Sequence, residues 1–482
     1  MQKKWITQII GCSIILAIMI MSPTTSCENK IKNKFNQINE SSTDWWPMFH
    51  HDLNHSGYST SIGPNTNHIL WISKIGDDVS TSPSVADGRV YLGSRDTNVY
   101  CLNAETGEKI WSYTTGDLIY WSSPAVIDGR VFIGSENGRV FCLNAETGEK
   151  IWNYTTKHGI SSSPTVADGK LYIGSEDNNF YCLNAETGVK IWNCTTNYTT
   201  ISSPAVADGK VYIGSGYDMY CINANTGEKI WNYTTGLPIY SSPAVAYGKI
   251  YFGSIDENIY CLNAETGAKI WNYTANNLVI SSPAIADGKI YIGSGSGDGK
   301  MYCLDAETGV LIWNNSIGGA DCGPAIADGK IYVGNGYGRV CCLNVNTGVK
   351  IWEYPTGGPV DFSPAVADGK VYSTSRFCPF IYCFGGPSLE INITGGFGVN
   401  AVIMNNGTAN ASGVEWQIQV KGGIFHKINK TFNGTINVPI NEAKTVKTGL
   451  FLGLGSIEIT VKVADIEKTA EGNQFFIFST IN

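Results

Sequence analysis

Between residues 68 and 386 short apolar runs alternate with polar, glycine-containing turns in a fixed order. The stretch from Ser203-Pro204 to Gly236 shows the pattern. It reads Pro-Ala-Val-Ala, Lys-Val-Tyr-Ile-Gly-Ser, Met-Tyr-Cys-Ile-Asn and Lys-Ile-Trp-Asn-Tyr, each run bounded by turn residues. Short runs rich in β-branched and aromatic residues predict strands, four to a unit. The second run lacks polar alternation, so both of its faces are expected to be covered. Asp-Gly separates the first two runs at Asp87, Asp128, Asp168, Asp208, Asp287, Asp328 and Asp368, and only Tyr247-Gly248 departs. A two-residue hairpin needs positive φ at both central positions, which this dipeptide supplies.

The unit recurs. Its prolines are Pro83, Pro124, Pro164, Pro204, Pro243, Pro283, Pro324 and Pro364, and its closing tryptophans are Trp71, Trp111, Trp152, Trp192, Trp231, Trp271, Trp313 and Trp352. A strand-rich period of about 40 residues predicts propeller blades rather than a helical array. Trp71 has no three strands before it, while the unit from Pro364 to Gly386 has three strands and no closing tryptophan. Joined, the two ends make one blade. The expectation is therefore an all-β fold: an eight-bladed β-propeller over 68–386, closed by an N-terminal strand so that no sheet edge is left open at the ends.

Composition adds the compartment. The chain has 482 residues, 43% hydrophobic and 15% charged, which is enough for more than one domain. A net charge of -8 with scattered Lys and Arg gives no footprint for nucleic acid. Lys3 and Lys4 precede the apolar run Ile9 to Met21 and the small residues before Cys27, the order of a secretory signal. Residues 1–27 are expected to be a signal peptide or a lipoprotein signal with Cys27 lipidated, an uncleaved anchor being the alternative. Residues 28–67 are expected to be a linker and lead-in. The only membrane contact expected is through the N-terminal segment or a Cys27 lipid. Glycosylation sequons agree with export to the cell surface: Asn153, Asn193, Asn232, Asn272 and Asn314 fall at one repeat position, and Asn392, Asn406, Asn410, Asn429 and Asn433 crowd the C-terminal part.

After Pro387 the period stops and alternating segments begin: Leu389 to Ile393, Val399 to Met404, Val414 to Val420, Gly434 to Val438 and Ser456 to Val463. These predict a β-sandwich over 387–482.

Candidate chemistry is sparse. The repeats diverge most in the loops that enter each blade, where Tyr120, Trp121, His158, Tyr240, Asp321 and Asp361 form a candidate channel-mouth binding set for a sugar, peptide or cation. His50, His51 and His55 with Asp52 do not follow a zinc spacing, and Asp298 lies in a turn without the ligand pattern of a calcium loop. Catalytic, cofactor and metal residues are all assigned as none. Eight cysteines, Cys101, Cys142, Cys182, Cys221, Cys261, Cys303, Cys342 and Cys383, share one place in the third strand and read as buried small hydrophobes. Cys194, Cys322 and Cys378 depart from the repeat, and a pairing among them is left open.

The turn Ala104-Glu-Thr106-Gly107-Glu-Lys-Ile-Trp111 recurs at Ala145, Ala185, Ala224, Ala264, Ala306 and Val345. It resembles the tryptophan-docking motif of the pyrroloquinoline-quinone-type repeat. That eight-bladed family holds quinoprotein alcohol dehydrogenases and a lipoprotein subunit of the bacterial outer-membrane barrel assembly machine. The opening Trp46-Pro-Met-Phe-His-His-Asp52 with Gly57 is similar to that of non-enzymatic members. Residues Gly395 to Gly398, Val414 to Trp416 and Lys421 to Gly423 resemble immunoglobulin-like modules of archaeal surface proteins. In the family's enzymes the resemblance implies calcium, an aspartate base, an aromatic floor and a vicinal disulfide. Cys341-Cys342 is the only vicinal pair, but it lies within a strand, where adjacent side chains point to opposite faces. The expectation is a non-catalytic cell-surface scaffold for protein or glycan partners. The alternative is a quinone (PQQ)-dependent dehydrogenase using calcium in the channel.

Overall fold

The unit read at Ser203–Gly236 folds into antiparallel strands Ala205–Ala207, Lys210–Ser215, Asp218–Asn223 and Lys229–Thr234, paired in chain order. A computed structural model describes residues 44–482 apart from 296, 298, 387, 388, 395, 398, 406, 408, 409, 424–427, 440, 441, 449–452, 465, 477 and 482. The signal, Cys27, Asn406 and Asp298 lie outside the described residues. The first turn of this unit has φ of 48° at Asp208 and 69° at Gly209, and Tyr247 takes the same conformation at 55°.

Seven further sheets repeat the arrangement. The innermost strand of each blade touches the next, and the last, Ala365–Ala367, touches the first, Ser84–Ala86, so the eight blades close into a ring. Ile69–Lys74 completes the eighth blade by pairing antiparallel with Phe380–Phe384, Trp71 opposite Cys383. The middle strands carry the core: Val211, Tyr212, Ile213, Tyr220 and Cys221 are all buried. Outermost strands alternate, with Ile230 exposed and Tyr233 half-buried. Their sequon residues form clasps. Asn193 Nδ2 and Thr195 Oγ1 both donate to Asn179 Oδ1, and Asn272 with Thr274 does the same to Asn258.

The eight repeat cysteines are buried free thiols. Cys194, Cys322 and Cys378 are also free and buried, so the pairing left open above does not form. Cys322 has a place of its own: its Sγ accepts the Gly334 N–H at 3.2 Å, where Ser122 and Ser162 hydroxyls accept from Gly134 and Gly174 in other blades.

Beyond the ring the chain forms two antiparallel sheets, one of three strands and one of six. Ile391, Ala401, Ile403 and Val446 from the first share one apolar core with Ile418, Val420, Ile459 and Val461 from the second. The strands are longer and more numerous than their apolar patterns predict. Ile466–Phe476 is mostly polar, and it is placed by its hairpin with Gly453–Val463, Val463 opposite Ile466. No helix among the described residues is long and apolar enough to cross a membrane.

One contact repeats at every junction between blades. The indole N–H of Trp111 donates to Ala145 O at 3.0 Å, and Tyr91 of the same blade donates its hydroxyl to that carbonyl at 3.2 Å. Trp71, Trp152, Trp192, Trp231 and Trp271 dock in the same way on Ala104, Ala185, Ala224, Ala264 and Ala306, and Trp313 docks on Val345. Trp352 has no such turn to meet, because the eighth blade lacks one. The Pro64 carbonyl takes its place, accepting Trp352 at 3.3 Å and Tyr332 at 3.0 Å.

The glycine of each turn does two jobs. Gly267 has φ of 71°, and a Cβ there would lie 2.7 Å from the Trp231 ring. Gly248 has φ of 67° but open space around it. Gly248→Ala should therefore cost about 1 kcal/mol through backbone strain alone, whereas Gly267→Ala should cost on the order of 2 kcal/mol more because the indole must move. Parallel urea denaturation of the two variants checks the difference, and equal losses would remove the steric role of the glycine.

Candidate functional site

The lead-in is part of the ring. The second residue of an innermost strand donates its N–H to a lead-in carbonyl in five blades: Val126 to Pro47, Val206 to Leu53, Val245 to Asn54, Ile285 to Ser56 and Ile326 to Gly57. In a sixth blade Val85 and Trp46 exchange both hydrogen bonds. Tyr58–Ser59 then adds a parallel strand to Ala325–Ala327. The segment thus follows the innermost strands in ring order and is tied to six of the eight blades. Asp44 binds its two ends together, accepting from His51 Nε2 at 3.0 Å and from the Thr60 N–H at 2.6 Å.

Above this floor runs a ring of serines, each just before the repeat proline. Ser82 N–H donates to Ser123 Oγ, Ser123 to Ser163, Ser163 to Ser203, Ser203 to Ser242 and Ser242 to Ser282, all at 2.9–3.1 Å. Ser363 N–H returns to Ser82 Oγ at 2.9 Å. The ring breaks at Gly323, where a Cβ would sit 1.9 Å from His50 Nε2. The same nitrogen lies 3.3 Å from Ser363 Oγ, so the lead-in imidazole occupies the space of the missing side chain.

Two residues further out, one residue per blade forms the mouth: Ser80, Trp121, Ser161, Ile201, Tyr240, Ile280, Asp321 and Asp361. Seven of these, all but Ser80, line a cavity of about 230 Å³ together with Phe49 of the lead-in and Arg376. The cavity is a cup with its floor on the lead-in. Its walls are asymmetric, because Asp321 and Asp361 stand on adjacent blades while Ser161 and Ile201 come from the opposite side of the ring.

Of the residues proposed from sequence, Trp121, Tyr240, Asp321 and Asp361 line this cup. Tyr120 stacks on Trp121 with centroids 4.6 Å apart and accepts from Arg376 Nη2 at 3.2 Å. His158 is exposed outside the cup, where its backbone carbonyl accepts from Thr156 Oγ1. Sequence reasoning missed Phe49, Ser161, Ile201, Ile280 and Arg376. Arg376 had a signal, since it varies at the position where other blades carry Glu136, Glu176 or Gly216.

Charges around the cup are compensated unevenly. Arg376 Nη1 meets Asp361 Oδ2 at 3.2 Å. Arg95 lies over the Tyr120 ring at 5.3 Å and meets Asp78 at 3.5 Å. Burial and the neighbouring Glu176 push the Glu136 carboxyl up, and both Glu136 and Glu176 lie within reach of the single Ser161 hydroxyl. Burial, and then Asp361, likewise raise Asp321, whose Oδ1 is sealed from solvent without a hydrogen-bond partner among the described residues. In the floor, burial holds His50 down to about 3 and His55 to about 4. Burial acts against His51 too, but hydrogen bonds to Asp44 and Asp52 outweigh it and raise His51 to about 9.

A calcium-held quinone does not fit these residues. Asp361 is already paired with an arginine, and no group of three or more His, Cys, Asp or Glu among the described residues is placed to hold a metal ion. Cys341 and Cys342 are buried free thiols within the strand Arg339–Asn344, one facing the Glu353 pairing position and the other that of Trp352.

Ring, floor and docking contacts define a tryptophan-docked repeat propeller. Residues 56–120, 117–241, 199–322 and 297–378 match the family described as outer membrane protein assembly factor BamB, and the chain belongs to that family. No curated protein matches the chain. Among solved structures, BamB from Moraxella catarrhalis is similar at 19% identity and TM-score 0.58, covering 66% of this chain and 98% of that one. Quinohemoprotein alcohol dehydrogenase from Comamonas testosteroni is similar at 17% identity and TM-score 0.62, covering 73% and 82%. A europium-containing methanol dehydrogenase is similar at 14% identity and TM-score 0.61, covering 71% and 92%. At these identities the likeness is one of fold.

Two outcomes follow from the floor. Gly323→Ser should drive His50 out and expose residues 44–59 to proteolysis, and adding His50→Gly should restore protection by letting the new serine complete the ring. Limited proteolysis with mass analysis reads both. The buried imidazoles bind protons in the unfolded chain but not in the folded one, so their stabilisation is full above pH 6.5 and lost as pH falls towards 4 and 3. His51 has the opposite sign, its stabilisation being full below pH 6.5 and lost as pH rises through 9. Denaturation midpoints should therefore decline on both sides, and His55→Gln should flatten the acid limb.

Proposed function

We propose that the chain is exported and acts at the cell surface as a non-catalytic binding scaffold, receiving part of a protein or glycan partner in the cup of the 68–386 propeller. The region 387–482 serves as an immunoglobulin-like spacer or attachment module. The observation that carries this reading is the blind cup: the lead-in fills the channel beneath it, leaving one mouth with apolar and acidic walls. Such a recess holds a protruding group of a partner, as concave, mostly apolar sites with a few polar groups do. The family's description as an assembly factor supports a binding role. The five rim asparagines, Asn153, Asn193, Asn232, Asn272 and Asn314, are exposed, as glycosylation after export requires.

The alternative, a quinone-dependent dehydrogenase, has the likeness of fold on its side and the chemistry of the cup against it, because Arg376 occupies Asp361. Native and denaturing mass spectrometry of the purified ectodomain, expressed with pyrroloquinoline quinone and calcium supplied, separates the two. The expected spectrum carries no quinone mass. A stoichiometric quinone with its absorbance would overturn the scaffold reading and make Asp321 and Asp361 the first residues to mutate.

A further inference from the structure

We propose that the cup binds a protonated amine carried on an apolar stem, with Asp321 as its counter-ion. This rests on the reading of the cup as a binding site and names the chemistry it selects.

The carboxylates around the mouth are compensated unequally. Asp361 has Arg376, and Asp78 has Arg95 together with the Phe377 N–H at 2.8 Å. Glu136 and Glu176 converge on the Ser161 hydroxyl. Asp321 alone has neither a cation nor a donor on its sealed Oδ1 among the described residues, yet its side chain lines the cavity. A carboxylate with one oxygen shielded from water and unpartnered is poorly solvated, and a cation seated against its open side recovers part of that cost. Among the described residues no cation is free for it, since Arg376 already holds both Asp361 and Tyr120.

The rest of the cup suits an ammonium group on a hydrocarbon stem. Trp121 and Tyr240 stand half-open at the mouth, 42% and 47% exposed, and aromatic faces attract cations. Ile201, Ile280 and the Phe49 floor offer apolar surface for methylenes. Serine oxygens of the ring that accept a backbone N–H keep a second lone pair for an ammonium donor. An anionic ligand would meet Asp321 without a free cation to offset it.

Saturation-transfer NMR titration of the whole ectodomain tests the proposal with four probes: pentylammonium, pentan-1-ol, a capped Ala-Lys-Ala peptide and N-acetylglucosamine. Pentylammonium should bind at least tenfold more tightly than the neutral alcohol. Asp321→Asn should remove that preference, while Glu146→Gln, on a distant exposed turn, leaves it unchanged. Binding of the lysine peptide at equal strength would assign the amine to a protein side chain, and binding of pentylammonium alone to a small free amine. Equal binding of amine and alcohol, or an unchanged preference in Asp321→Asn, overturns the amine while leaving the cup as a site. Preference for the sugar does the same. If no probe meets the cup, both readings fall together.

Discussion

Everything in this molecule hangs on one acceptor per blade. The docking carbonyl receives the indole N–H of the blade before it, and at Ala104, Ala145, Ala224, Ala264, Ala306 and Pro64 it receives the strand tyrosine hydroxyl as well. A backbone acceptor satisfied by two buried side-chain donors fixes both the distance and the rotation between neighbouring sheets. The adjacent glycine lets the indole lie flat against the turn. Eight such steps return the chain to its start, and the ring closes because the Pro64 carbonyl supplies the eighth acceptor. Closure therefore has two independent parts, the strand Ile69–Lys74 and the Pro64 carbonyl, both drawn from the chain ahead of the first blade.

That same stretch decides what the ring can do. By sending carbonyls to six innermost strands it converts a channel into a cup. His50 and His55 are held neutral by burial, and the one charged imidazole, His51, is paired with Asp44 and Asp52, so the floor carries no unpaired histidine charge at neutral pH. The break in the serine ring at Gly323 and the position of His50 are one feature seen from two sides. Blades seven and eight then concentrate acid at the mouth, with Arg376 cancelling one carboxylate and leaving the other. A ring built from nearly identical repeats thus acquires a direction.

Much was legible in the sequence because the repeat reports itself eight times. Strand order, hairpin chemistry, the docking tryptophans and the way Trp71 completes the last blade all follow from local pattern and spacing, which act over a few residues. Four of the cup residues, Trp121, Tyr240, Asp321 and Asp361, stood out as variation against that regular background. The polar strand Ile466–Phe476 did not, since its place comes from its partner's register rather than its own periodicity.

What the sequence determined by itself was the unit and the number of units, because hydrophobic period and turn chemistry are local properties. Only the tertiary structure decided that residues 44–59 form a floor, that Phe49 and Arg376 belong to the same cavity as Asp321, and that Pro64 replaces a turn alanine. Those facts depend on pairs hundreds of residues apart, such as His50 with Ser363 and Trp352 with Pro64. No pattern along the chain encodes which carbonyl will meet which donor once a ring has closed around it.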